Sequence, residues 1–384
     1  MKLQCDIQLP ASKSESNRAL MIAAYGGFAP DFKNLSDSND TLLIYRVLES
    51  MPSSVIDVSD CGTAARFLTT YLACREGDWL LAGTERMQQR PIKPLVDALL
   101  TLGADIQYVD KQGFLPLRIK GKPLVGGKVS LDMSQSSQYA SSLLLAAPMF
   151  PQGLEAELLG NLSSLPYLDM TLAMMRHFGA EVEREGRTVI VKPKPYQPTS
   201  FTVSADWTAA SYWYEMAAFS EDCEIRLKGL SHCPNLQGDS IIAEWMQPLG
   251  VETSVEEDAF VLRKTPFEKR PIRFDFSQNP DLYPTMAATC AGLGIDATFT
   301  GLDNLHLKES DRVEAMETEL AKISEQSDGK PLCFCAHNDH RVVMALAPLA
   351  MLYGPVHFDH PEVVGKSYPR FWDDVPFKLL SIIP

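Results

Sequence analysis

The sequence has 384 residues, 45% of them hydrophobic and 22% charged, and its 49 acidic and 35 basic side chains give a formal net charge of −14. This length predicts two domains, and the composition is that of an ordinary globular protein. The acidic balance argues against nucleic-acid binding, which needs an extended basic surface, and an anionic small molecule would require cations gathered in one place.

The N-terminal stretch "MKLQCDIQLPASKS" contains no apolar segment of the signal-peptide kind. No run of the sequence approaches the roughly 18 apolar residues of a membrane-spanning helix. We therefore expect a cytoplasmic protein without a membrane partner. The eight cysteines show no framework spacing, which favours reduced thiols; they are Cys5, Cys61, Cys74, Cys223, Cys233, Cys290, Cys333 and Cys335.

Six segments, in chain order, place cations and small polar residues mostly beside a predicted helix start: "ASKSESNRALMIAAY", "DCGTAARFLTTYLA", "MQQRPIKP", "KESDR", "HNDHRVVMALAPLAM" and "GKSYPRFW". Backbone N–H groups, hydroxyls and the helix dipole suit such termini to phosphate or carboxylate. Ser and Asp also cap helices widely, so a structural role is favoured for each segment taken alone. Several of them in one acidic chain predict a site for more than one anionic group.

Three segments repeat one plan of amphipathic helix, glycine turn and short strand: "PLVDALLTLGADIQ", "YLDMTLAMMRHFGAEVE" and "IIAEWMQPLGVETSV". Their turn glycines are Gly103, Gly179 and Gly250, and each is expected to end its helix. "AMETELAKIS", ending near Ser324, resembles a degenerate fourth copy. Such self-similarity predicts one supersecondary unit used several times, in an α/β or α+β fold of two pseudo-symmetric halves.

Residues 305–320, "LHLKESDRVEAMETEL", combine four closely spaced charges with a helix start. Asp311 followed by Glu314 predicts an N-cap with its capping box, which places Arg312 in the first turn and Lys308 just outside it. Cations are unfavourable at a helix N-terminus unless an anion is supplied. Either the neighbouring acids or a bound ligand could supply that anion.

Nine motifs occur in the order seen in the 5-enolpyruvylshikimate-3-phosphate synthase family: "KSESNR", "DCGTAAR", "RPIKPLVDALLTLGA", "SSQYASSLLLAAP", "PYLDMTL", "NPDLYPTMAA", "LKESDRVEAMETEL", "NDHRVVMAL" and "GKSYP". From Lys13 to Lys366 the chain therefore resembles that family. The resemblance implies two similar domains, each built from repeated βαβαββ units in the inside-out barrel type, with the active site in the cleft between them. It implies a shikimate-phosphate-binding half, residues 11–206, and a second half made of residues 1–10 and 207–384.

The resemblance also implies a reaction. The enolpyruvyl group of phosphoenolpyruvate is transferred to the 5-hydroxyl of shikimate 3-phosphate through a tetrahedral intermediate, followed by loss of phosphate. The implied partners are these two small molecules, with no nucleic acid, no metal and no organic cofactor, and we expect a monomer.

Substrate-binding residues follow from the same motifs. Shikimate 3-phosphate is assigned to Ser14 and Arg18 at its carboxylate, to Ser136, Ser137 and Ser164 at its phosphate, and to Gln138, Tyr167 and Asn304 lining the same half-site. Phosphoenolpyruvate is assigned to Gly62, Arg90, Arg312, Arg341 and Lys366. Gly62 suits its place because a residue without a side chain lets the backbone approach a ligand closely.

Catalysis is assigned to Lys13, Asp281 and Glu309, with Lys308 as a substrate-binding residue beside them. Asp281 and Glu309 are the expected paired carboxylates, nearest to the 5-hydroxyl and to the methylene carbon respectively. Lys308 would poise Asp281 and bind the substrate hydroxyl, and Lys13 would lie between both substrates and assist departing phosphate. Which carboxylate moves which proton at each step is left open.

Structural alternatives compete at two of these places. Asp281 could simply be the N-cap of a helix in "LYPTMAATCAGLG", and "SSQYASSLLLAA" could be a small-residue helix start packed on the core. The histidine pairs 337/340 and 357/360 have no third ligand at suitable spacing, so no metal site is predicted.

The chain departs from the family pattern at Asp60, Phe67 and Leu165. The family usually has Asn where Asp60 stands, and an acid there would oppose an anion unless it is paired or protonated. The segment between Asp40 and Asp60 is also shorter than usual and is predicted to lack a hairpin.

Two rival functions remain. The enolpyruvyl transferase that acts on UDP-N-acetylglucosamine shares the fold, but it typically carries Asn where Ser14 stands and a cysteine in the loop that here reads "GTERMQQRPI". A non-catalytic sugar-phosphate-binding protein would be expected to lack Asp281 or Glu309, and both are present.

Overall fold

Short strands alternate with helices along the chain. The computed structural model describes residues 2–51, 54–231, 235–324 and 330–375. The strands in these ranges are β1 (Lys2–Gln8), β2 (Phe32–Lys33), β3 (Val55–Asp57), β4 (Gly77–Ala82), β5 (Asp105–Tyr108), β6 (Leu117–Gly121), β7 (Gly127–Asp132), β8 (Leu154–Leu159), β9 (Val182–Glu185), β10 (Thr188–Val191), β11 (Phe201–Thr202), β12 (Asp222–Lys228), β13 (Val251–Glu256), β14 (Ala259–Lys264), β15 (Ile272–Asp275), β16 (Ala297–Thr300), β17 (Leu332–Phe334) and β18 (Val356–Phe358).

The α-helices are α1 (Lys13–Gly26), α2 (Asn39–Ser50), α3 (Gly62–Ala73), α4 (Glu85–Gln88), α5 (Lys93–Thr101), α6 (Gln138–Ala146), α7 (Leu165–His177), α8 (Trp207–Phe219), α9 (Ile242–Met246), α10 (Tyr283–Leu293), α11 (Arg312–Ala321), α12 (His340–Leu346), α13 (Ala350–Tyr353) and α14 (Phe371–Asp374). Short 3-10 helices cover Ala147–Met149, Gly238–Ile241, Gln247–Leu249, Pro280–Leu282, Asp303–Leu307, Ala347–Leu349 and Pro361–Lys366. No helix in the described part is long and apolar enough to cross a membrane.

The chain divides into two compact units. Unit I contains residues 13–36 and 40–203, and unit II contains residues 1–12, 37–39 and 204–384. The N-terminal strand belongs to unit II because β1 pairs in parallel with β12, from Lys2 opposite Asp222 to Gln8 opposite Lys228.

Three four-stranded sheets share one topology, with the orders β3-β4-β6-β5, β7-β8-β10-β9 and β1-β12-β14-β13. In each sheet, the first two strands in this order are parallel to each other. The other two form an antiparallel hairpin, and the hairpin strand that comes later in the chain (β6, β10 or β14) pairs with β4, β8 or β12 respectively. Each sheet therefore belongs to a βαβαββ module, which confirms the predicted α/β fold of repeated units.

Three further sheets contain only a parallel pair of strands: β11-β2, β15-β16 and β17-β18. In the described ranges these modules have no terminal hairpin. The segment between Asp40 and Asp60 follows β2 and contains most of α2 and then β3. Its described residues form no strand between α2 and β3. The full module therefore occurs twice in unit I and once in the described part of unit II.

The glycine turns end their helices as predicted. Gly103, Gly179 and Gly250 have φ angles of 88°, 87° and 82°, in the left-handed region that favours glycine. The third helix departs from the regular pattern, because it changes to a 3-10 turn at Gln247–Leu249. Pro248 lies in that turn and has no N–H to continue the α-helical hydrogen bonding.

Helix α8 forms the centre of unit II. All thirteen of its residues are buried, including Trp213 and Tyr214. A helix that is buried on every side belongs to a core rather than to a surface layer. It packs against α10 and β12 and so supports the loops that carry the charged residues described next.

Candidate active site

Arg312 is the first residue of α11, and its position follows from the local sequence. The Asp311 side chain caps the helix by accepting a hydrogen bond from the Glu314 backbone N–H at 3.1 Å. Lys308 lies outside the helix, at the end of the preceding 3-10 turn. The predicted N-cap and the positions of both cations are thus confirmed.

Three carboxylates surround the Arg312 guanidinium, whose residue is only 1% exposed. Its Nη1 donates to Asp281 Oδ1 at 2.8 Å, its Nη2 to Glu309 Oε2 at 2.7 Å, and its Nε to Asp339 Oδ2 at 2.8 Å. Burial alone would lower the pKa of Arg312, but the three carboxylates outweigh it and raise the pKa. Protein acids therefore do neutralise this helix-terminal cation in the structure.

Asp281 lies in the 3-10 turn Pro280–Leu282 and contacts three cations. Arg341 Nη2 donates to its Oδ2 and Arg312 Nη1 to its Oδ1, both at 2.8 Å, and Lys308 Nζ lies 3.7 Å from Oδ1. Burial raises the pKa of this carboxyl, but Arg341, Lys308 and Arg312 together hold it well below its usual range.

The alternative interpretation of Asp281 as a helix N-cap is wrong. Helix α10 begins at Tyr283, and Leu282 occupies the capping position. Asp281 falls inside the preceding 3-10 turn, Pro280–Leu282, which Asn279 immediately precedes. Its carboxylate accepts hydrogen bonds from Arg312 and Arg341.

Asp339 organises both arginines and was absent from the predicted set. It is fully buried, caps α12 through the Arg341 backbone N–H at 3.0 Å, and accepts from Ser310 Oγ at 3.1 Å as well as from Arg312. His337 and Asn338, with φ angles of 51° and 52°, form the left-handed turn that delivers it. The motif "NDHRVVMAL" contained it, but sequence alone gave no reason to pair it with Arg312.

The cluster of Lys308, Arg312 and Arg341 with Asp281, Glu309 and Asp339 is balanced in formal charge. We call it the unit II cluster. Asn304 and Lys366 lie in the same unit, both buried, in the 3-10 helices Asp303–Leu307 and Pro361–Lys366. Asn304 lies in unit II, whereas the serines with which it is predicted to bind shikimate 3-phosphate lie in unit I, and its assignment to that substrate stays a prediction.

In unit I, Gly62 opens α3 directly against two arginines. A Cβ at Gly62 would lie 2.7 Å from both terminal nitrogens of Arg90 and 2.9 Å from Arg66 Nη1, so only glycine fits without displacement. Arg90 Nη1 approaches the Asp60 backbone carbonyl at 3.4 Å, and Arg66 Nη1 donates to the Gly62 carbonyl at 3.1 Å. Buried Arg66 belongs to this group although it was not assigned a role.

Lys13 and Ser14 begin α1. Lys13 Nζ forms a 3.0 Å ion pair with Asp40 Oδ2 at the start of α2, and both side chains are largely buried. The backbone carbonyl of Ser14 accepts a hydrogen bond from Arg18 Nη1 at 2.9 Å. Like Asp339 beside Arg312, Asp40 is an acidic partner of a predicted site cation that the sequence interpretation did not identify, because Asp40 lies 27 residues from Lys13 in the chain.

Arg18 is engaged with protein groups. Its Nε donates to Thr171 Oγ1 at 2.7 Å, and its Nη2 donates to the Tyr167 carbonyl at 3.1 Å and to Ser141 Oγ at 3.4 Å. Burial lowers its pKa to about 10. With Nη1 bonded to Ser14, one Nη1–H remains for a ligand, so Arg18 can offer a carboxylate one hydrogen bond but not a two-pronged grip.

The remaining unit I residues lie at helix starts. Ser136 Oγ accepts from the Gln138 backbone N–H at 3.2 Å, and Gln138 Nε2 donates to Thr63 Oγ1 at 3.1 Å, which links α6 to α3. Ser137 and Ser164 are buried at the starts of α6 and α7. Ser164 has a φ of 56°, an uncommon left-handed conformation for a residue with a side chain, and its carbonyl accepts from Tyr167 N at 3.2 Å.

No group of three or more His, Cys, Asp or Glu residues in the described ranges is arranged to hold a metal ion. His337 Nε2 instead contacts Glu319 Oε1 at 2.9 Å. Buried Glu319 also accepts from the Cys335 backbone N–H at 2.9 Å. Helix α11 is therefore tied to the loop preceding α12 by Glu319 as well as by Arg312.

The family model described as EPSP synthase (3-phosphoshikimate 1-carboxyvinyltransferase) matches residues 46–375. The chain belongs to the EPSP synthase family. A 3-phosphoshikimate 1-carboxyvinyltransferase of Bacteroides fragilis strain YCH46 is 42% identical over 97% of this chain and 95% of its own length. One of Syntrophobacter fumaroxidans is 34% identical over 97% of this chain and 96% of its own length.

Solved structures show the same fold. An EPSP synthase structure from Acinetobacter baumannii superposes with a TM-score of 0.73 at 21% identity, over 97% of this chain and 94% of that one. At Phe67 the residue type departs from the EPSP synthase pattern. The Phe67 side chain is buried and lies under Arg18, with 5.7 Å between the guanidinium carbon and the ring centroid.

Proposed function

We propose that this protein transfers the enolpyruvyl group of phosphoenolpyruvate to the 5-hydroxyl of shikimate 3-phosphate and releases phosphate. The observation that carries the proposal is the joining of Asp281 and Glu309 through one buried arginine, Arg312. Family membership supports the choice of substrates. We also expect the protein to act as a cytoplasmic monomer, and sedimentation velocity would test the monomer.

Substrate binding is divided by residue type. In unit I, the hydroxyls and N–H groups at the starts of α6 and α7 suit the 3-phosphate, since helix starts favour anions. Ser136, Ser137 and Ser164 supply them, and the remaining Nη1–H of Arg18 supplies one bond to the shikimate carboxylate. Phosphoenolpyruvate is assigned to Gly62 and Arg90 of unit I and to Arg312, Arg341 and Lys366 of unit II.

The reaction needs two proton transfers in its first step. The methylene carbon of phosphoenolpyruvate gains a proton while the 5-hydroxyl oxygen bonds to C2 and loses its proton. The resulting tetrahedral intermediate then loses a methyl proton and phosphate, which restores the double bond. Cations fixed in advance around the phosphate and carboxylate stabilise the charge that develops.

Asp281 acts as the base for the 5-hydroxyl in this proposal. Arg341, Lys308 and Arg312 hold its pKa well below the usual range, so it is a weak base while those contacts last. An anion that takes hydrogen bonds from Arg312 and Arg341 weakens their contacts with Asp281 and raises its proton affinity. In this proposal, binding of phosphoenolpyruvate therefore strengthens Asp281 as a base.

Glu309 is the group that exchanges a proton with the methylene carbon. It lies three residues before Arg312 and shares the guanidinium with Asp281, so ligand binding affects both carboxylates together. Lys13, paired with Asp40, is assigned to the departing phosphate.

A phosphate-release assay tests the proposed function. The purified protein is expected to release inorganic phosphate only when phosphoenolpyruvate and shikimate 3-phosphate are both present, and either compound alone serves as control. Release with UDP-N-acetylglucosamine in place of shikimate 3-phosphate would assign the protein to the rival transferase. No release with any pairing would overturn the enzyme proposal in favour of a binding protein.

A further inference from the structure

Asp239 is a buried acid of unit II outside the predicted residue set. It lies in the 3-10 turn Gly238–Ile241 and is 3% exposed. A buried carboxyl requires hydrogen-bond partners, because its desolvation is costly. Its partners here lead directly to Asp281.

Two hydrogen bonds connect Asp239 to neighbouring elements. Its Oδ1 accepts from Asn279 Nδ2 at 3.2 Å, and its Oδ2 accepts from Thr208 Oγ1 at 2.5 Å. Asn279 immediately precedes the turn Pro280–Leu282 that carries Asp281, and its carbonyl accepts from Leu282 N at 3.1 Å. Asp239 therefore holds the residue before that turn against the start of α8.

Asp281 in the Pro280–Leu282 turn and Arg341 on α12 are charged groups that act on Asp239, and Thr208 on α8 and Asn279 are its hydrogen-bond donors. Burial, together with the negative charge of Asp281, raises the pKa of Asp239, while Thr208, Arg341 and Asn279 oppose the rise. Asp281 therefore ionises first, and Asp239 ionises at higher pH beside a carboxylate that is already charged.

We propose that Asp239 is a positioning residue for Asp281, which fixes the Pro280–Leu282 turn through Asn279 and, by its own charge, sets the strength of Asp281 as a base. This inference rests on the proposed function, since it concerns the base of that reaction. When Asp239 is ionised, its negative charge raises the proton affinity of Asp281. When Asp239 is neutral, Arg341, Lys308 and Arg312 keep that affinity low.

The first test removes the hydrogen bond between Asn279 and Asp239 by substituting each of these two residues in turn. Asp239→Ala and Asn279→Ala are each expected to lower kcat about 10²-fold through misplacement of Asp281, while KM for shikimate 3-phosphate changes less than about twofold. The double variant should lose little beyond either single one, because both changes remove the same contact. Asp275→Ala is the matched control: Asp275 is exposed, and its Oδ1 accepts from Ser277 N at 3.0 Å just before the same turn.

The second test uses the pH profile, which a purely structural role would not alter. Asp239→Asn keeps the shape of the side chain and removes its charge. Wild-type kcat is expected to rise with pH through one ionisation that Asp239→Asn lacks, whereas phosphate groups of the substrates titrate alike in both proteins. Asp275→Asn should keep the wild-type profile.

Each outcome decides the inference. It requires both the loss in Asn279→Ala and the missing ionisation in Asp239→Asn, so it does not depend on whether Asp239→Ala folds. A profile of Asp239→Asn that differs from wild type only by a constant factor overturns it, as does an unchanged kcat in Asn279→Ala. If wild-type protein itself releases no phosphate, the proposed function has failed instead.

Discussion

Nη1 of Arg312 donates a 2.8 Å hydrogen bond to Oδ1 of Asp281, 31 residues away in the chain. An anionic ligand that binds this arginine must compete with that carboxylate. Ligand binding and the proton affinity of Asp281 are therefore linked in the structure itself.

Replacing Arg312 with Ala should strongly reduce activity and also weaken the fold. It would leave Asp281, Glu309 and Asp339 close together without their shared cation, which costs about 3–5 kcal/mol in the free energy of unfolding. kcat/KM should fall about 10³-fold, as for the loss of a main charge-stabilising group. Chemical denaturation and phosphate release would measure the two effects.

Arg312→Lys separates charge from geometry. A lysine keeps the positive charge, but its single ammonium cannot donate in the fixed directions of a guanidinium to three carboxylates. It should recover part of the stability and little of the activity. Arg273→Ala, at an exposed position of β15, is the control and should change neither. Full activity in Arg312→Lys would show that charge alone is sufficient.

Gly62→Ala should impair phosphoenolpyruvate binding selectively. The added Cβ would lie 2.7 Å from both terminal nitrogens of Arg90 and must displace that side chain. KM for phosphoenolpyruvate is expected to rise about tenfold or more, whereas KM for shikimate 3-phosphate changes little. The second constant is the internal control, and equal rises in both constants would count against the assignment of Gly62 and Arg90.

Glu215 is expected to lower the free energy of unfolding and to have no functional role. It is fully buried in α8, and neither of its oxygens has a hydrogen-bond partner among the described residues. Leaving such a group unsatisfied costs about 1–3 kcal/mol. Glu215→Met should therefore increase the free energy of unfolding, while Glu244→Met, at an exposed position of α9, should have little effect.

The gain from Glu215→Met should depend on pH. Burial raises the pKa of Glu215 well above its usual value, whereas in the unfolded chain it ionises near pH 4.3. Between these two values the unfolded state loses a proton that the folded state keeps, so this group lowers stability as pH rises. The advantage of Glu215→Met should be small near pH 4 and larger at pH 8. A constant difference across that range would mean that Glu215 does not stay protonated in the folded protein.

Features encoded within a few residues were predictable from the sequence, and features made by tertiary contacts were not. The cap of α11 at Asp311 and the turn at Gly103 follow from local backbone chemistry, and both were predicted correctly. The contact between Asp339 and Arg312 joins α12 to α11 across 27 residues, and no local pattern specifies it.

Arg18 is a second case in which tertiary contacts limit what the sequence predicts. Its neighbours in sequence indicated an anion site, yet Thr171 and Ser141, brought in by α7 and α6, accept two of its hydrogen bonds. The backbone carbonyls of Tyr167 and Ser14 accept two more. Its position in a motif predicts an anion site at Arg18, and that assignment stays a prediction. The number of hydrogen bonds it can give a ligand depends on packing that the sequence pattern does not contain.

The proposed catalytic role of Glu309 is tested most directly by measuring phosphate release from Glu309→Gln with both substrates present. Wild type and Glu317→Gln are measured beside it, because Glu317 lies at an exposed position of α11. Glutamine keeps the size of the side chain and cannot exchange the proton. Turnover of Glu309→Gln is expected to fall about 10²- to 10⁴-fold, with Glu317→Gln close to wild type and the Kd for shikimate 3-phosphate unchanged in both variants. Undiminished phosphate release by Glu309→Gln would contradict the assignment of the unit II cluster as the chemical site.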